Sequence, residues 1–318
     1  MRRNTAFRLS LLILAAFIAM PVAAGRGEAR GAAGPPADWR RRWATEPVIS
    51  IFLDDRGYAI YLPMEEYLTG VVAAEMDPDW PVEALTAQAI VSRTLTLKYM
   101  ELGSGPRKIH GTDACTSPAH LQAYGPARSN AAVRAAVASS RGQVLTYGRD
   151  LIFAMYSNSA GGLTATGREA FSGLEPPAPY LASVPSLGEA VTPPSEEVWR
   201  AAVPRWELEG AAGAPLGSSQ NLTVSRYGVS GRVLQFKLGK KTIKAADLRA
   251  ALGSDRFRST LITSIQQTAG SVIFTGRGWG HGSGLCQHGA QALAAEGWRT
   301  QAILAHYFQG AAVERLWK

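Results

Sequence analysis

The sequence lacks the short patterns that identify nucleic-acid-binding proteins and two large hydrolase classes. It has no RNP-like run, no zinc-finger spacing and no block of consecutive basic residues longer than the three at 40–42, so nucleic acid is the weakest candidate partner. It contains no G-x-S-x-G and no H-E-x-x-H motif, so nothing supports a serine hydrolase or a zincin.

Long apolar runs are also missing, except at the N-terminus. The run Leu9–Val22 follows Arg2 and Arg3 and ends in small residues before Gly25. A basic start, a short apolar middle and a small-residue end are typical of a secretory signal peptide, and the run is shorter than the roughly 20 residues of a spanning helix. We therefore expect residues 1–24 to be removed and the protein to be exported to the periplasm or cell envelope, with no transmembrane segment after cleavage. An uncleaved membrane anchor is the alternative.

The composition is that of a globular chain with an excess of positive charge. Of the 318 residues, 46% are hydrophobic and 18% charged, and the net charge is +8, which suits an anionic partner such as cell wall or a membrane surface. Residues 25–45 are rich in Gly, Ala, Pro and Arg and predict a flexible spacer. Strand and helix patterns then occur in unequal groups, which predicts an α+β fold over residues 46–318.

One carboxylate has a pattern that suits acid catalysis. In a helix predicted to run from Pro63 to about Met76, Glu75 lies four residues after Val71 and borders an apolar face. Lost solvation and the negative end of the helix dipole both raise the pKa of such a carboxyl, so it can hold a proton near neutral pH. The alternative is an ordinary surface Glu at a helix end.

A glycine-rich loop at 276–284 follows a predicted strand and precedes a predicted helix. Its glycines alternate and do not match G-x-G-x-x-G, so a dinucleotide site is not supported. Alternating glycines allow close backbone approach to an extended ligand, and His281 is placed to hydrogen-bond it. A core histidine held by a backbone carbonyl is the alternative.

The spacing of His110, Cys115 and His120 suits zinc. A disulfide between Cys115 and Cys286 would instead use every cysteine of the chain, and two free thiols are the third option. Cys286 is also the candidate for a fourth zinc ligand. In the first two cases we therefore expect the 110–121 loop to be tied against the glycine-rich loop.

Several long motifs, in order, resemble the SpoIID/LytB family. They are EYLTGVVAAEM from Glu66, DWPVEALTAQAIVSRTLTL from Asp79, SNSAGG at 157–162 followed by PYLASV from Pro179, FRSTL at 257–261, GWGHGSGLCQHGA from Gly278, and HYF near the C-terminus. The resemblance covers nearly all of residues 48–318 and implies a single α+β domain with a central substrate cleft.

The resemblance also implies a function. Family members with activity are peptidoglycan lytic transglycosylases that use the Glu of the first motif, here Glu75, and they cleave glycan strands without a cofactor in the chemistry. The sugar's own 6-hydroxyl is the nucleophile, so one carboxylate suffices, whereas a hydrolase needs two. The LytB branch is described as an amidase enhancer, which keeps open a wall-binding protein that acts with a cell-wall amidase. A structural envelope protein without a defined cleft is a third hypothesis.

The remaining expected site residues surround the same cleft. Some family members hold a structural zinc ion with a pattern that ends in His-Cys. In this chain, Leu121 occupies the position of that final Cys. Arg93 is expected either to bind a polar substrate group or to pair with Glu83 or Asp77. The other predicted substrate-binding residues are Ser159, Gly161, Gly162, His281 and Gln287.

Overall fold

The structure, a computed structural model, describes residues 39–171, 178–215 and 221–318. The predicted signal peptide and residues 25–38 of the predicted spacer lie outside them. Within these residues no helix has both the length and the apolar character that a membrane crossing requires.

Helices and strands alternate irregularly along the chain, which confirms the predicted α+β class. The helices are α1 (Trp39–Arg42), α2 (Met64–Glu75), α3 (Val82–Leu102), α4 (Pro106–His110), α5 (Ala131–Ser139), α6 (Gly167–Ala170), α7 (Pro194–Glu197), α8 (Arg205–Ala212), α9 (Ala245–Leu252), α10 (Gln287–Ala295) and α11 (Thr300–Tyr307).

Short strands separate these helices and form several small sheets. The strands are β1 (Val48–Leu53), β2 (Tyr58–Pro63), β3 (Ala114–Cys115), β4 (Gln143–Tyr147), β5 (Asp150–Leu151), β6 (Tyr156–Ser157), β7 (Val198–Pro204), β8 (Leu222–Tyr227), β9 (Val233–Leu238), β10 (Lys241–Lys244), β11 (Ile262–Gln267), β12 (Ser271–Arg277), β13 (Leu285–Cys286) and β14 (Ala312–Arg315). Their orders are β2-β1-β3, β14-β4-β5, β11-β12-β7, β10-β9-β8 and β13-β6.

Two hydrophobic clusters form the interior. The first is built on α2, α3, α5, α10 and α11 with β1 and β4. The second lies among β7 to β12 with α8 and α9. Trp39 and Trp43 are buried in the first cluster, so the last part of the segment predicted as a spacer is packed against the core.

The two long helices of the first cluster are set by proline and glycine. Pro63 and Pro81 immediately precede α2 and α3, and their fixed φ suits a helix start. Gly103 ends α3 in the left-handed conformation, with φ 56°, which glycine adopts without a Cβ clash. Glu75 is the last residue of α2 and is buried, so the position of this helix end determines how far its carboxyl lies below the surface.

Pairing between distant strands brings the predicted motifs together. Strand β6 pairs in parallel with β13, with Tyr156 opposite Leu285 and Ser157 opposite Cys286. Ser159 and Trp279 exchange main-chain hydrogen bonds just beyond this pair. The motif at 157–162 therefore lies directly beside the glycine-rich loop and the start of α10.

Candidate functional site

Glu75 lies at the junction of three chain segments and is only 4% exposed. The main-chain N–H of Ala123 donates to its Oε1 at 2.6 Å. The side-chain amide of Gln287, the first residue of α10, donates to the Glu75 carbonyl oxygen at 3.1 Å and reaches Oε2 at 3.5 Å. The predicted approach of Glu75 and Gln287, which are 212 positions apart, is thus present in the structure.

Burial raises the pKa of the Glu75 carboxyl to about 7, even though hydrogen bonds from Ala123, Tyr156 and Gln287 act in the opposite direction. The desolvation free energy of the carboxylate exceeds the stabilisation from these three hydrogen bonds, so the protonated form is favoured relative to a carboxyl in water. A carboxyl that titrates near 7 can both give and accept a proton under physiological conditions. This is the property that the apolar border of α2 predicts.

Tyr156 and Gln122 complete the surroundings of the carboxyl, and neither was predicted from the sequence. The Tyr156 hydroxyl donates to Gln122 Oε1 at 3.3 Å and is also hydrogen-bonded to Glu75. Gln122 Nε2 in turn donates to Thr96 on α3 at 2.9 Å. For Tyr156, the one sequence feature that could have indicated a role is its place directly before the motif at 157–162. The strand that pairs with it is not evident from the sequence.

Unsatisfied polar atoms cluster around the same junction. Among the described residues, buried Gln287 Oε1 and Ser157 Oγ find no hydrogen-bond partner, and neither does Asn158 Oδ1. Buried polar groups are nearly always paired in native proteins. An incoming polar ligand is one way to satisfy such atoms, which marks this junction as a candidate binding surface.

The structure does not support His281 as a ligand-binding residue. The main-chain N–H of Ser283 donates to His281 Nδ1 at 3.1 Å, so Nε2 carries the proton and donates to the main chain of Tyr156. Burial, with the nearby Arg249 and Arg232, lowers the pKa of His281 to about 3. His281 is partly exposed, and the use of both ring nitrogens by the main chain favours the alternative of a histidine held by a backbone carbonyl.

Ser159 and the two glycines after it are also engaged by the protein itself. Ser159 donates to Glu197 Oε2 at 2.7 Å. Gly161 and Gly162 both have positive φ, and a Cβ at Gly161 would meet the Leu261 side chain at 2.6 Å. Gln287 approaches Glu75 as predicted, while the Ser159 hydroxyl is hydrogen-bonded to Glu197.

Arg93 is the clearest correction to the predicted substrate-binding set. Its side chain is fully buried, forms an ion pair with Glu65 and donates to the Gln143 carbonyl at 2.9 Å. The expected partners, Glu83 and Asp77, do not take part. Position 93 faces the interior of the first cluster, where an unpaired guanidinium would be costly, so its role is structural.

A cavity of about 620 Å³ lies away from Glu75. Its lining residues come from the segment around α6, from β8 and β9, and from the start of α9; they include Arg168, Phe171, Arg226 and Lys244. Glu75 is not among them. The predicted central substrate cleft thus stays a prediction. The charged residues that line the cavity are mostly basic, and the ring of Phe171 in that lining packs 4.8 Å from the ring of His281.

The three predicted metal ligands lie together. His110 Nε2 is 3.0 Å from His120 Nδ1, which is 3.3 Å from Cys115 Sγ. The alternative disulfide is wrong, since both cysteines are free. The Cys286 thiol caps the start of α10 and accepts from the main-chain N–H groups of Ala160 and Gly289.

Comparison with known proteins agrees with the ordered motifs. A family model described as SpoIID, stage II sporulation protein, matches residues 57–147. A stage II sporulation protein D of Bacillus amyloliquefaciens is 29% identical over 78% of this chain and 73% of its own length. An uncharacterized protein of Brachyspira hyodysenteriae is 31% identical over 78% of this chain and 66% of its own. An amidase enhancer of Bacillus subtilis is 28% identical over 76% of this chain and 39% of its own.

The matched residues include both Glu75 and the loop that delivers Ala123 to it. The family model, the relatives and the order of the motifs along the chain all agree, and together they support the assignment of this chain to the SpoIID/LytB family.

Proposed function

We propose that this protein is an exported peptidoglycan lytic transglycosylase in which Glu75 is the acid and base. The observation that carries the proposal is the buried carboxyl at the end of α2, with its pKa raised to about 7. A carboxyl in this state can protonate a leaving oxygen at neutral pH and then act as a base.

The reaction needs one proton-transfer group and no water. Glu75 donates its proton to the glycosidic oxygen as the bond from that oxygen to C1 of the muramyl sugar breaks. The 6-hydroxyl oxygen of the same sugar then bonds to C1, and its proton goes to the Glu75 carboxylate. The products are a shortened strand with a 1,6-anhydro end and a released strand with a free hydroxyl, and the carboxyl is regenerated.

The surroundings of Glu75 support a mechanism with a single carboxylate. Its hydrogen-bond partners within the described chain are a main-chain N–H, a phenol and a carboxamide. A hydrolase would require a second carboxylate at about 5–9.5 Å to activate water or form a covalent adduct. Burial raises the pKa of the acid despite these partners, and none of them brings the negative charge of a second carboxylate.

The change Glu75→Gln tests the proposal directly. We expect glycan cleavage to fall at least about 100-fold, since general acid–base catalysis typically contributes 10²–10⁴. The measurement is digestion of purified glycan strands with mass analysis of the products for anhydro-muramyl ends. Glu66→Gln is the control, because Glu66 is exposed on the same helix. Unchanged cleavage by Glu75→Gln would refute the assignment.

A non-catalytic role is the second candidate function, favoured by the similarity to a protein named amidase enhancer. In that case the chain binds the cell wall and stimulates an N-acetylmuramoyl-L-alanine amidase, and Glu75 is a structural group joining α2 to α10. The net charge of +8, which is +5 without the three arginines of the predicted signal peptide, suits an anionic wall polymer under either proposal. Stimulation of amidase activity that persists in Glu75→Gln, with no anhydro products from either variant, would favour this role.

A further inference from the structure

A fourth side chain completes the histidine and cysteine cluster of the 106–120 segment. This side chain is Asp54, which directly follows β1. One ligand atom from each of Asp54, His110, Cys115 and His120 lies within 4.8 Å of the other three. Nothing in the sequence spacing connects Asp54 to this segment, because α2 and α3 intervene.

The separations suit a tetrahedral ion. Zn²⁺ binds nitrogen at about 2.0–2.1 Å and sulfur at about 2.3 Å, so neighbouring ligand atoms of a tetrahedron lie about 3.3–3.7 Å apart. The observed 3.0 Å between the histidine nitrogens and 3.3 Å between His120 and Cys115 require only small adjustments. Asp54 is exposed, so its side chain is free to close the remaining distance.

The donor set selects a transition metal of the zinc type. One thiolate and two imidazoles disfavour Mg²⁺ and Ca²⁺, which take oxygen ligands. The thiolate of Cys115 and the carboxylate of Asp54 together balance the charge of a divalent ion. Without Asp54, the three ligands of the segment would leave one position of the tetrahedron open.

Contacts between the hairpin and the segment hold the four groups in place. The main-chain N–H of Asp54 donates to Thr116 Oγ1, and the N–H of Thr116 donates to the Phe52 carbonyl, both at 3.0 Å. The ring of Phe52 stacks on His110, with centroids 4.2 Å apart. The N–H of Ser117 donates to Cys115 Sγ, a contact that stabilises a thiolate ligand.

We propose that Asp54 is the fourth ligand of a zinc ion also held by His110, Cys115 and His120. In this chain a carboxylate from the β1–β2 hairpin replaces the thiolate whose position in the family pattern is occupied by Leu121. The ion would join the hairpin to the segment that continues directly into Gln122 and Ala123. Its role is structural, so this inference does not depend on the proposed cleavage reaction.

The test compares two adjacent aspartates. The full chain, Asp54→Asn and Asp55→Asn are freed of metal and titrated with Zn²⁺ against a chromogenic chelator. Asp55 is exposed, and the structure gives its carboxylate only a 3.8 Å contact with Arg56, so the two variants change charge equally. We expect one Zn²⁺ per chain, an affinity at least about tenfold weaker in Asp54→Asn, and an unchanged affinity in Asp55→Asn.

A second measurement identifies the ligands by spectroscopy. With Co²⁺ in place of Zn²⁺, the intact chain should give the intense visible bands of a tetrahedral site and a thiolate charge-transfer band, which Cys115→Ser should lose. Asp54→Asn should keep the thiolate band and change the tetrahedral bands. Equal affinities and spectra for Asp54→Asn and Asp55→Asn, or no stoichiometric binding by the full chain, would overturn the proposal. Neither result bears on glycan cleavage.

Discussion

At the scale of the residue, the proposed chemistry depends on one enclosed carboxyl. Glu75 receives a main-chain N–H, a carboxamide and a phenol, and its pKa is still raised to about 7. A folded-state pKa above the ordinary value of 4.5 means that the folded chain binds more protons than the unfolded chain between these two values. Folding stability therefore depends on pH through this one side chain.

The sign of that dependence is a prediction. The contribution of Glu75 is fully present below about pH 4.5 and is lost as the pH rises to about 7, by on the order of 3 kcal/mol, since one pKa unit corresponds to about 1.4 kcal/mol. Glu75→Gln cannot ionise, so its free energy of unfolding should improve relative to the unmodified protein between pH 5 and pH 8. Denaturant unfolding at both values measures this difference. A difference that is the same at both values would mean that the carboxyl titrates as in water.

The roles of individual residues could be predicted from the sequence where local geometry decides them. The border position of Glu75 on α2 follows from helical periodicity, and its raised pKa follows from that position. The cap of α5 shows the limit: Ser129 and Asn130 both have side chains that can cap a helix, and the structure uses Asn130, which accepts the N–H of Val133. The partners of Arg93 and His281 depend on distant segments, so their roles could not be decided from spacing alone.

At the scale of the element, the glycine-rich loop serves the protein's own packing. Gly278, Gly280, Gly282 and Gly284 all have positive φ. A Cβ on them would meet, in turn, the Ser159 carbonyl, the Ser157 side chain, the Arg232 guanidinium and the Met155 carbonyl. The sequence correctly predicts close backbone approach here, but what approaches is the segment from 155 to 162 and the side chain of Arg232.

Two glycines with nearly the same φ separate packing from backbone strain. Gly284 has φ 74° and a Cβ there would lie 2.0 Å from the Met155 carbonyl oxygen, whereas Gly57 has φ 72° and open space around it. Gly57→Ala should cost about 1–2 kcal/mol, the cost of the left-handed conformation alone. Gly284→Ala should cost at least about 2 kcal/mol more, because it forces β6 away from β13. Urea unfolding of both variants measures this, and equal losses would contradict the role given to the loop.

Some elements follow from a local pattern and others do not. The helix predicted to follow the glycine-rich loop is α10 (Gln287–Ala295). Strand β7 and the C-terminal β14 were not predicted, because each is identified by its partner rather than by its own pattern. Strand β7 pairs along its whole length with β12, and β14 pairs with β4. Pairing between distant segments is not visible in local periodicity.

At the scale of the whole molecule, one buried ion pair joins segments from both ends of the described chain. Glu65 on α2 accepts hydrogen bonds from Arg93 on α3, from the main-chain N–H of Gly142 and from the Trp317 indole. The carboxylate thus ties two long helices, the start of β4 and the C-terminal residues together. The same α2 carries Glu75 at its other end, so this network fixes the helix that presents the acid.

The change Glu65→Gln should destabilise the molecule by about 3–5 kcal/mol, because it leaves a buried guanidinium without a counter-charge. Glu66→Gln, at the neighbouring exposed position, should remain within about 0.5 kcal/mol of the unmodified protein. Chemical denaturation of the pair isolates the buried contact from the change in net charge. Equal stabilities would mean that Arg93 is adequately solvated or paired elsewhere.

The contact between Gln287 and Glu75 has a consequence for conformational entropy. One carboxamide donates to the main-chain carbonyl of Glu75 and reaches its carboxylate oxygen, while Ala123 donates to the other oxygen. Both oxygens and the backbone of the residue are therefore restrained before any ligand arrives. A flexible glutamate would lose rotamer freedom on the order of 1–2 kcal/mol when fixed in one position. Here that loss occurs when the chain folds, so a ligand meeting this carboxyl has almost none of it to offset.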